Sequence, residues 1–144
     1  MNTIHLRRAI ALAAEASIGG NRPFGAVLVD ETGSVIAEGR NEVTSSGDPT
    51  AHAELVAIRG AADNSTTNAT MYASGEPCPM CSAAMVWAGI TQIVFAASEI
   101  EFSKILDGGP RFQLGCAEIV AAASVEISVT GPVLEAESLA VMQR

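Results

Sequence analysis

Four residues in two short segments carry the side chains best suited to chemistry in this chain. The segment T-A-H-A-E at 50–54 contains His52 and Glu54, and the segment E-P-C-P-M-C at 76–81 contains Cys78 and Cys81. The 144 residues include only two histidines and three cysteines, so this grouping calls for an explanation. One imidazole nitrogen and two sulfurs form a ligand set that suits a tetrahedral zinc ion with one open position.

The elements around both motifs favour such a site. Helical patterns are predicted over residues 52–62 and 79–89, the second with proline at its first turn. Cys78 and Cys81 are three residues apart, so they face the same side of one helical turn. Helix N-termini also favour the thiolate form that binds metal. In an α/β layer, the N-termini of neighbouring helices can lie at the same edge of the sheet.

We therefore predict that His52, Cys78 and Cys81 hold one zinc ion per chain. Zinc lowers the pKa of a bound water from about 15.7 to roughly 7. Glu54, two residues from a ligand, is placed to accept the proton of that water. H-x-E followed by P-C-x-x-C is the pattern of zinc deaminases that act on nucleobases, with the glutamate as acid and base. The chain matches every fixed position of this pattern.

Three other interpretations of the same residues stay open. Cys78 and Cys81 could form a redox pair, although no other thioredoxin-like feature surrounds them. The ion could be structural, with Cys116 or His5 as a fourth ligand, but a closed site would leave Glu54 without a role. The cysteines could also be inert buried side chains, which are common in proteins.

The rest of the chain predicts an α/β fold of one domain covering residues 1–144. An N-terminal helix precedes a hairpin of G-A-V-L-V-D and S-V-I-A-E-G, and three later segments, A-T-M-Y-A-S, T-Q-I-V-F-A-A and V-E-I-S-V-T, have strand patterns. A short helix is predicted near 116–121 and a closing helix in L-E-A-E-S-L-A-V-M. Together they predict a three-layer α/β/α architecture with a five-stranded mixed sheet, antiparallel in the hairpin and parallel after the helical crossovers.

Composition and charge restrict the class of protein. Hydrophobic residues make up 49% of the chain, which excludes a disordered polypeptide. No run approaches the roughly 18 apolar residues of a membrane span, and Glu15 interrupts the apolar run that could suggest a signal peptide. We expect a cytoplasmic protein without a membrane partner. The net charge of −8 disfavours binding to nucleic acid.

The sequence resembles the cytidine deaminase-like superfamily, on the branch of bacterial guanine deaminases and tRNA adenosine deaminases. The resemblance spans roughly residues 3–98 and rests on P-F-G-A-V at 23–27, G-R-N-E at 39–42, D-P-T-A-H-A-E at 48–54 and S-G-E-P-C-P-M-C-S-A-A-M at 74–85. It implies a cytidine deaminase-like fold and a homodimer.

The resemblance also implies roles in substrate binding. Asn41 would hydrogen-bond the target ring, unless it serves a turn, and Phe24 would pack beside the zinc site. The backbone around Ala53 and of Ser74 and Gly75 would line the pocket. Trp87 would lie against a purine, and its alternative role is that of a core aromatic residue.

The substrate is predicted less sharply than the reaction. From residue 98 onward the chain has three basic and seven acidic residues, which favours a free nucleobase over a polyanion such as tRNA. Guanine is the base we expect, with cytosine, a nucleoside or tRNA adenosine as alternatives. The acidic residues of 98–107 could read an N–H of the base or lie in a solvated loop. A zinc-binding module without catalysis is the alternative of a different class.

Overall fold

The structure is a computed structural model that describes residues 2–61 and 65–144. Within these residues the chain forms seven helices and five strands. Their bounds are α1 Ile4–Ile18, β1 Gly25–Val29, β2 Val35–Arg40, α2 Val43–Ser46, α3 Ala53–Gly60, β3 Thr70–Gly75, α4 Pro79–Ala88, β4 Gln92–Ala97, α5 Glu99–Phe102, α6 Cys116–Ala121, β5 Ser128–Thr130 and α7 Glu135–Met142.

The five strands form one mixed sheet in the order β2-β1-β3-β4-β5. β1 pairs antiparallel with β2 on one side and with β3 on the other, whereas β3, β4 and β5 run parallel. The predicted antiparallel hairpin and the later parallel strands are both confirmed. Because β2 and β3 are each antiparallel to β1, they point in the same direction and end at the same edge of the sheet.

Helices cover both faces of this sheet, as the three-layer prediction requires. α1 and α7 pack on one face, where α1 buries the stripe formed by Leu6, Ala9, Ile10, Leu12, Ala13 and Ala16. The other face carries α3, α4 and α6 around a core that includes Leu28, Met71, Met85 and Ile93. Every residue of β1 is buried, because helices lie above and below it.

A glycine in β2 allows α3 to lie directly on the sheet. A Cβ atom at Gly39 would overlap the carbonyl oxygen of Ala53 and lie 2.8 Å from the backbone nitrogen of Ala57. The backbone of α3 therefore contacts the strand with no side chain between them. Since α3 starts at Ala53, this contact fixes where its first turn lies.

The structure adds two short helices to the predicted elements, α2 and α5, and corrects one boundary. The helix predicted over residues 52–62 begins at Ala53 and extends to Gly60, and its predicted end at Ala62 lies outside the described residues. In the part of the chain that the structure describes, no helix is both long enough and apolar enough to cross a bilayer.

Candidate active site

The three predicted metal ligands meet at the sheet edge where β2 and β3 end. His52 is the N-cap of α3, Cys78 is the N-cap of α4, and Cys81 lies in the first turn of α4. α3 follows β2 after the short helix α2, and α4 follows β3 directly, and the N-termini of α3 and α4 lie side by side. Pro79 occupies the first turn of α4, as predicted, where its missing N–H costs no hydrogen bond.

The distances within this trio match a tetrahedral metal site. The Nδ1 atom of His52 lies 3.5 Å from the sulfur of Cys78 and 3.7 Å from that of Cys81. With a Zn–S distance of about 2.3 Å and a Zn–N distance of about 2.05 Å, a tetrahedral angle separates nitrogen and sulfur by about 3.6 Å. The donor set and its spacing therefore fit one zinc ion.

The structure gives no support to a fourth protein ligand. Among the described residues, His52, Cys78 and Cys81 are the group of possible ligand atoms that lie within 4.8 Å of one another. Cys116 is buried in α6 outside this group, and His5 lies on α1, across the sheet, with its ring 5.2 Å from that of Tyr72. The ligand set of one histidine and two cysteines leaves a coordination position open.

The two thiols shift the pKa of one another in opposite directions. A hydrogen bond from Cys81, together with the nearby His52, lowers the pKa of Cys78 to about 4. The same hydrogen bond and burial raise the pKa of Cys81. The pair thus carries a negative charge at neutral pH, which attracts a divalent cation.

Glu54 lies beside the trio in the first turn of α3 and faces the same cavity. Its side chain is buried, with 7% of the residue exposed. Burial is the main cause that raises the pKa of its carboxyl to about 7, and the charge of Cys78 adds to the effect. Glu54 is not needed as a zinc ligand, because His52, Cys78 and Cys81 already supply the three protein ligands.

The trio and Glu54 open into a cavity of about 680 Å³. Phe24 and Asn41, both predicted to contact the substrate, line this cavity. The backbone N–H of Asn41 donates to the carbonyl of Phe24 at 3.0 Å, so the two residues are held together. The Oδ1 atom of Asn41 accepts the N–H of Val43 at 3.1 Å, which is the local turn interaction considered from the sequence.

The segment 99–115 forms much of the opposite wall of this cavity. Its aromatic and aliphatic contributions are Phe102, Leu106, Pro110, Phe112 and Leu114. The ring of Phe102 meets that of Phe24 edge to face, with centroids 5.1 Å apart. The sequence did not reveal this wall, because α5 is only four residues long and its contacts with Phe24 span 78 positions of the chain.

Two acidic residues of 98–107, Glu99 and Asp107, line the cavity. Glu99 accepts two hydrogen bonds from Arg111, at 2.8 and 3.1 Å. Asp107 uses its carbonyl oxygen to accept a hydrogen bond from Arg22 at 3.3 Å. Both basic side chains lining the described cavity are therefore already bonded within the protein.

Two residues expected to line the pocket lie elsewhere. Ala53 and Ser74 are fully buried and are absent from the cavity wall among the described residues. The hydroxyl of Ser74 accepts the N–H of Gly25 at 2.9 Å, and its carbonyl accepts the hydroxyl of Ser138 at 2.6 Å. The hydroxyl and the carbonyl of Ser74 therefore bond to neighbouring elements, and a contact of its backbone with the substrate stays a prediction.

The alternative that Trp87 is a core aromatic residue is wrong, and its contact with the substrate stays a prediction. Trp87 is 90% exposed and lies outside the described cavity wall. α4 buries the side that contains Cys81, Ser82 and Met85, and Trp87 falls on the opposite side. It is also six residues from Cys81, which places it about 9 Å along the helix axis from that ligand.

Curated relatives share long regions with this chain. A guanine deaminase of Bacillus subtilis is 48% identical over 69% of this chain and 66% of its own length. A probable cytosine deaminase of Schizosaccharomyces pombe is 36% identical over 94% of this chain and 86% of its own length. A tRNA-specific adenosine deaminase of Haemophilus influenzae is 41% identical over 74% of this chain. The matched region spans less than two thirds of the length of the Bacillus and Haemophilus proteins, 66% and 62% respectively.

A solved structure extends the likeness to the C-terminal part. The guanine deaminase of Nitrosomonas europaea superposes with a TM-score of 0.81 at 26% identity, covering 96% of this chain and 80% of that protein. The family model of the cytidine and deoxycytidylate deaminase zinc-binding region matches residues 2–97, which contain the trio and Glu54. The chain therefore belongs to this family of zinc-binding deaminase domains, whose members are hydrolases acting on C–N bonds.

Proposed function

We propose that this protein is a zinc-dependent hydrolytic deaminase of a free nucleobase, with guanine as its substrate. The observation that carries the proposal is the buried Glu54, placed beside the trio of His52, Cys78 and Cys81 at the floor of one cavity. A carboxyl next to an open metal position is the arrangement that hydrolytic deamination requires.

The lining of the cavity favours a neutral, flat ligand. Its volume of about 680 Å³ falls in the range of small-molecule sites. Phe24 and Phe102 offer aromatic surface to a planar ring. Arg22 and Arg111, the basic residues of the described wall, are bonded to the carbonyl of Asp107 and to the carboxylate of Glu99. The carboxylate of Glu99 offsets the charge of Arg111, so Arg22 is the one arginine of the described wall without a carboxylate partner, which is few for the phosphates of a tRNA.

In the proposed reaction, zinc supplies a Lewis acid that makes water acidic enough to lose a proton near neutral pH. The carboxylate of Glu54 accepts that proton, and the water oxygen attacks the carbon that bears the amino group. Glu54 then donates the proton to the adjacent ring nitrogen. Glu54 next takes the proton of the hydroxyl now on that carbon and gives it to the amino group, so the C–N bond breaks, ammonia leaves and a carbonyl remains on the ring. Asn41 and Phe24 would hold the base in place.

Guanine is favoured by the 48% identity with the Bacillus guanine deaminase and by the overall likeness to the Nitrosomonas enzyme. Cytosine is the second candidate, because the match with the Schizosaccharomyces protein covers 94% of this chain and includes the cavity wall of 99–115. A tRNA substrate fits the charge of the cavity less well.

An ammonia-release assay of the zinc-loaded protein tests the proposal. The substrates are guanine, adenine, cytosine, isocytosine, their nucleosides and small amidines, and we expect the highest kcat/KM for guanine. Glu54→Gln should keep one zinc per chain and lose activity by about 10²-fold or more, since proton transfer contributes on that scale. Glu126→Gln, a change of an exposed carboxylate, is the matched control.

Preference for another base would refute the assignment to guanine but keep the deaminase. No ammonia from any compound, with zinc bound, would favour a non-catalytic zinc module. Near wild-type activity of Glu54→Gln would contradict the role of this carboxyl.

We also propose that two copies of the chain form a homodimer through a surface that includes Trp87. At 90% exposure this is the largest apolar side chain left in solvent within the described residues. Tryptophan is enriched in protein interfaces because it combines a large apolar area with few rotatable bonds.

A further inference from the structure

Glu76 lies between the metal ligands and the far wall of the cavity, and both oxygens of its carboxylate accept hydrogen bonds. Oε1 accepts the backbone N–H of Glu99 at 3.0 Å, and Oε2 accepts that of Cys116 at 3.0 Å. These are the first residues of α5 and α6. One carboxylate therefore satisfies donors at two helix N-termini, where no intrahelical acceptor exists and negative charge is favoured.

The two contacts lie at the ends of the segment 99–115, which supplies most of the cavity wall opposite the metal ligands. Within the segment, α5 is short and is followed by the stretch 103–115 before α6 begins. A wall with so little regular structure depends on its ends for its position. Both ends are bonded to the same side chain.

We propose that Glu76 is a positioning residue that fixes the two ends of the segment 99–115 and thereby sets the shape of the substrate cavity. Its own position is set by the sheet, because its backbone N–H donates to the carbonyl of Ala97 at 2.7 Å at the end of β4. Glu76 comes two residues before Cys78, so the same short stretch of chain places a metal ligand and the facing wall.

Neighbouring contacts show how specific the arrangement is. A Cβ atom at Gly115 would lie 2.8 Å from Oε2 of Glu76, so the absence of a side chain there lets the carboxylate reach α6. The N–H of Gly115 donates locally to Glu118 at 3.0 Å, which leaves the N–H of Cys116 for the long-range bond. On the other side, the N–H of Ser98 donates to Glu135 of α7 at 2.8 Å.

Three single variants separate this role from a general effect on stability. Glu76→Gln removes the negative charge that both N–H groups share and places an NH₂ group against one of them, so both ends of the segment are held more weakly. Gly115→Ala keeps the carboxylate but displaces it from α6. Glu101→Gln is the matched control, because Glu101 lies in the same segment and its side chain bonds only to Lys104 at the surface among the described contacts.

Hydrogen–deuterium exchange of the zinc-loaded protein tests the proposal without any substrate. We expect the amides near 98–103 and 115–119 to exchange about tenfold faster in Glu76→Gln, the scale of losing one hydrogen bond to a charged acceptor. Gly115→Ala should increase exchange near 115–119, and Glu101→Gln should leave both regions unchanged. All three variants should retain one zinc per chain.

Kinetics with the base that the wild type deaminates fastest supply a second measurement, which rests on the proposed function. KM should rise about tenfold in Glu76→Gln, while kcat changes less than about threefold, because the wall moves and the metal site does not. Unchanged exchange in both Glu76→Gln and Gly115→Ala would overturn the proposal. Loss of zinc from Glu76→Gln, with kcat and KM falling together, would also overturn it. If the wild type deaminates nothing, the proposed function fails while the exchange result still decides the role of Glu76.

Discussion

The contact between Gly39 and α3 links the stability of the sheet to the position of the metal site. α3 carries Glu54 in its first turn and His52 at its N-cap. A methyl group at position 39 would overlap the carbonyl oxygen of Ala53 and lie 2.8 Å from the nitrogen of Ala57. Both atoms belong to the backbone, so they can retreat only if the start of the helix moves. We therefore predict that Gly39→Ala weakens both folding and zinc binding.

The size of the effect follows from the distances. Ordinary contact needs about 3.5 Å, so the carbonyl of Ala53 in the first turn of α3 must shift by roughly 1.5 Å. Overpacking of this kind costs about 1–3 kcal/mol in the free energy of unfolding. For a chain of this length, 2 kcal/mol corresponds to a fall of about 6 °C in Tm. Because His52 moves with the helix while Cys78 and Cys81 stay on α4, zinc affinity should fall by about tenfold or more.

Gly60→Ala provides a matched control at the other end of the same helix. Among the described residues, a Cβ atom at Gly60 would meet only Ala37, at 3.7 Å, which is ordinary contact. Alanine favours helix over glycine by up to about 1 kcal/mol, so this variant should be equal to or more stable than the wild type. Thermal unfolding of the metal-free proteins and competition titration with a zinc chelator measure both quantities. A Gly39→Ala protein with wild-type Tm and zinc affinity would refute the reasoning.

Two further predictions concern the surface of the molecule. Trp87→Ala should raise the dissociation constant of the proposed dimer by about 30-fold, which is the effect of removing a residue worth about 2 kcal/mol in an interface. Sedimentation equilibrium measures this constant, and a monomeric wild type would contradict the dimer. Hydrogen bonds from Arg8 lower the pKa of Glu38 below its ordinary 4.5, so this pair stabilises the fold above about pH 4.5 and the contribution is lost as the pH falls through the lowered pKa. Glu38→Gln should therefore lower the free energy of unfolding by less than about 1 kcal/mol at pH 7, because both side chains are partly exposed, and should not change it at pH 2. Urea unfolding at the two pH values measures this, and an equal loss at both would exclude the ion pair as the cause.

The metal site was predictable because its signals are local. The spacing of Cys78 and Cys81, the proline after Cys78, and the separation of His52 from Glu54 each depend on a single helical turn. The alternation of strands and helices then indicated that both helix starts could share one edge of the sheet. The structure places the trio there, with nitrogen–sulfur distances of 3.5 and 3.7 Å.

The wall of the cavity depended on contacts that no local pattern records. Glu76 lies inside the most conspicuous motif of the chain, yet its partners are the backbone N–H groups of Glu99 and Cys116, 23 and 40 residues away. A backbone donor carries no sequence signal of its own. Ser74 is a second case, since its hydroxyl accepts the N–H of Gly25 and its carbonyl accepts the hydroxyl of Ser138, both far away in the chain.

The sequence by itself determined the ligand set, the neighbouring carboxyl and the order of strands and helices, because these follow from side-chain chemistry and from periodicity within one or two turns. Only the tertiary structure decided that Trp87 faces solvent and that the segment 99–115 closes the cavity. Which side of a helix is buried, and where a loop lies, depend on the packing of elements distant in the chain. That packing forms the cavity around the predicted zinc ligands.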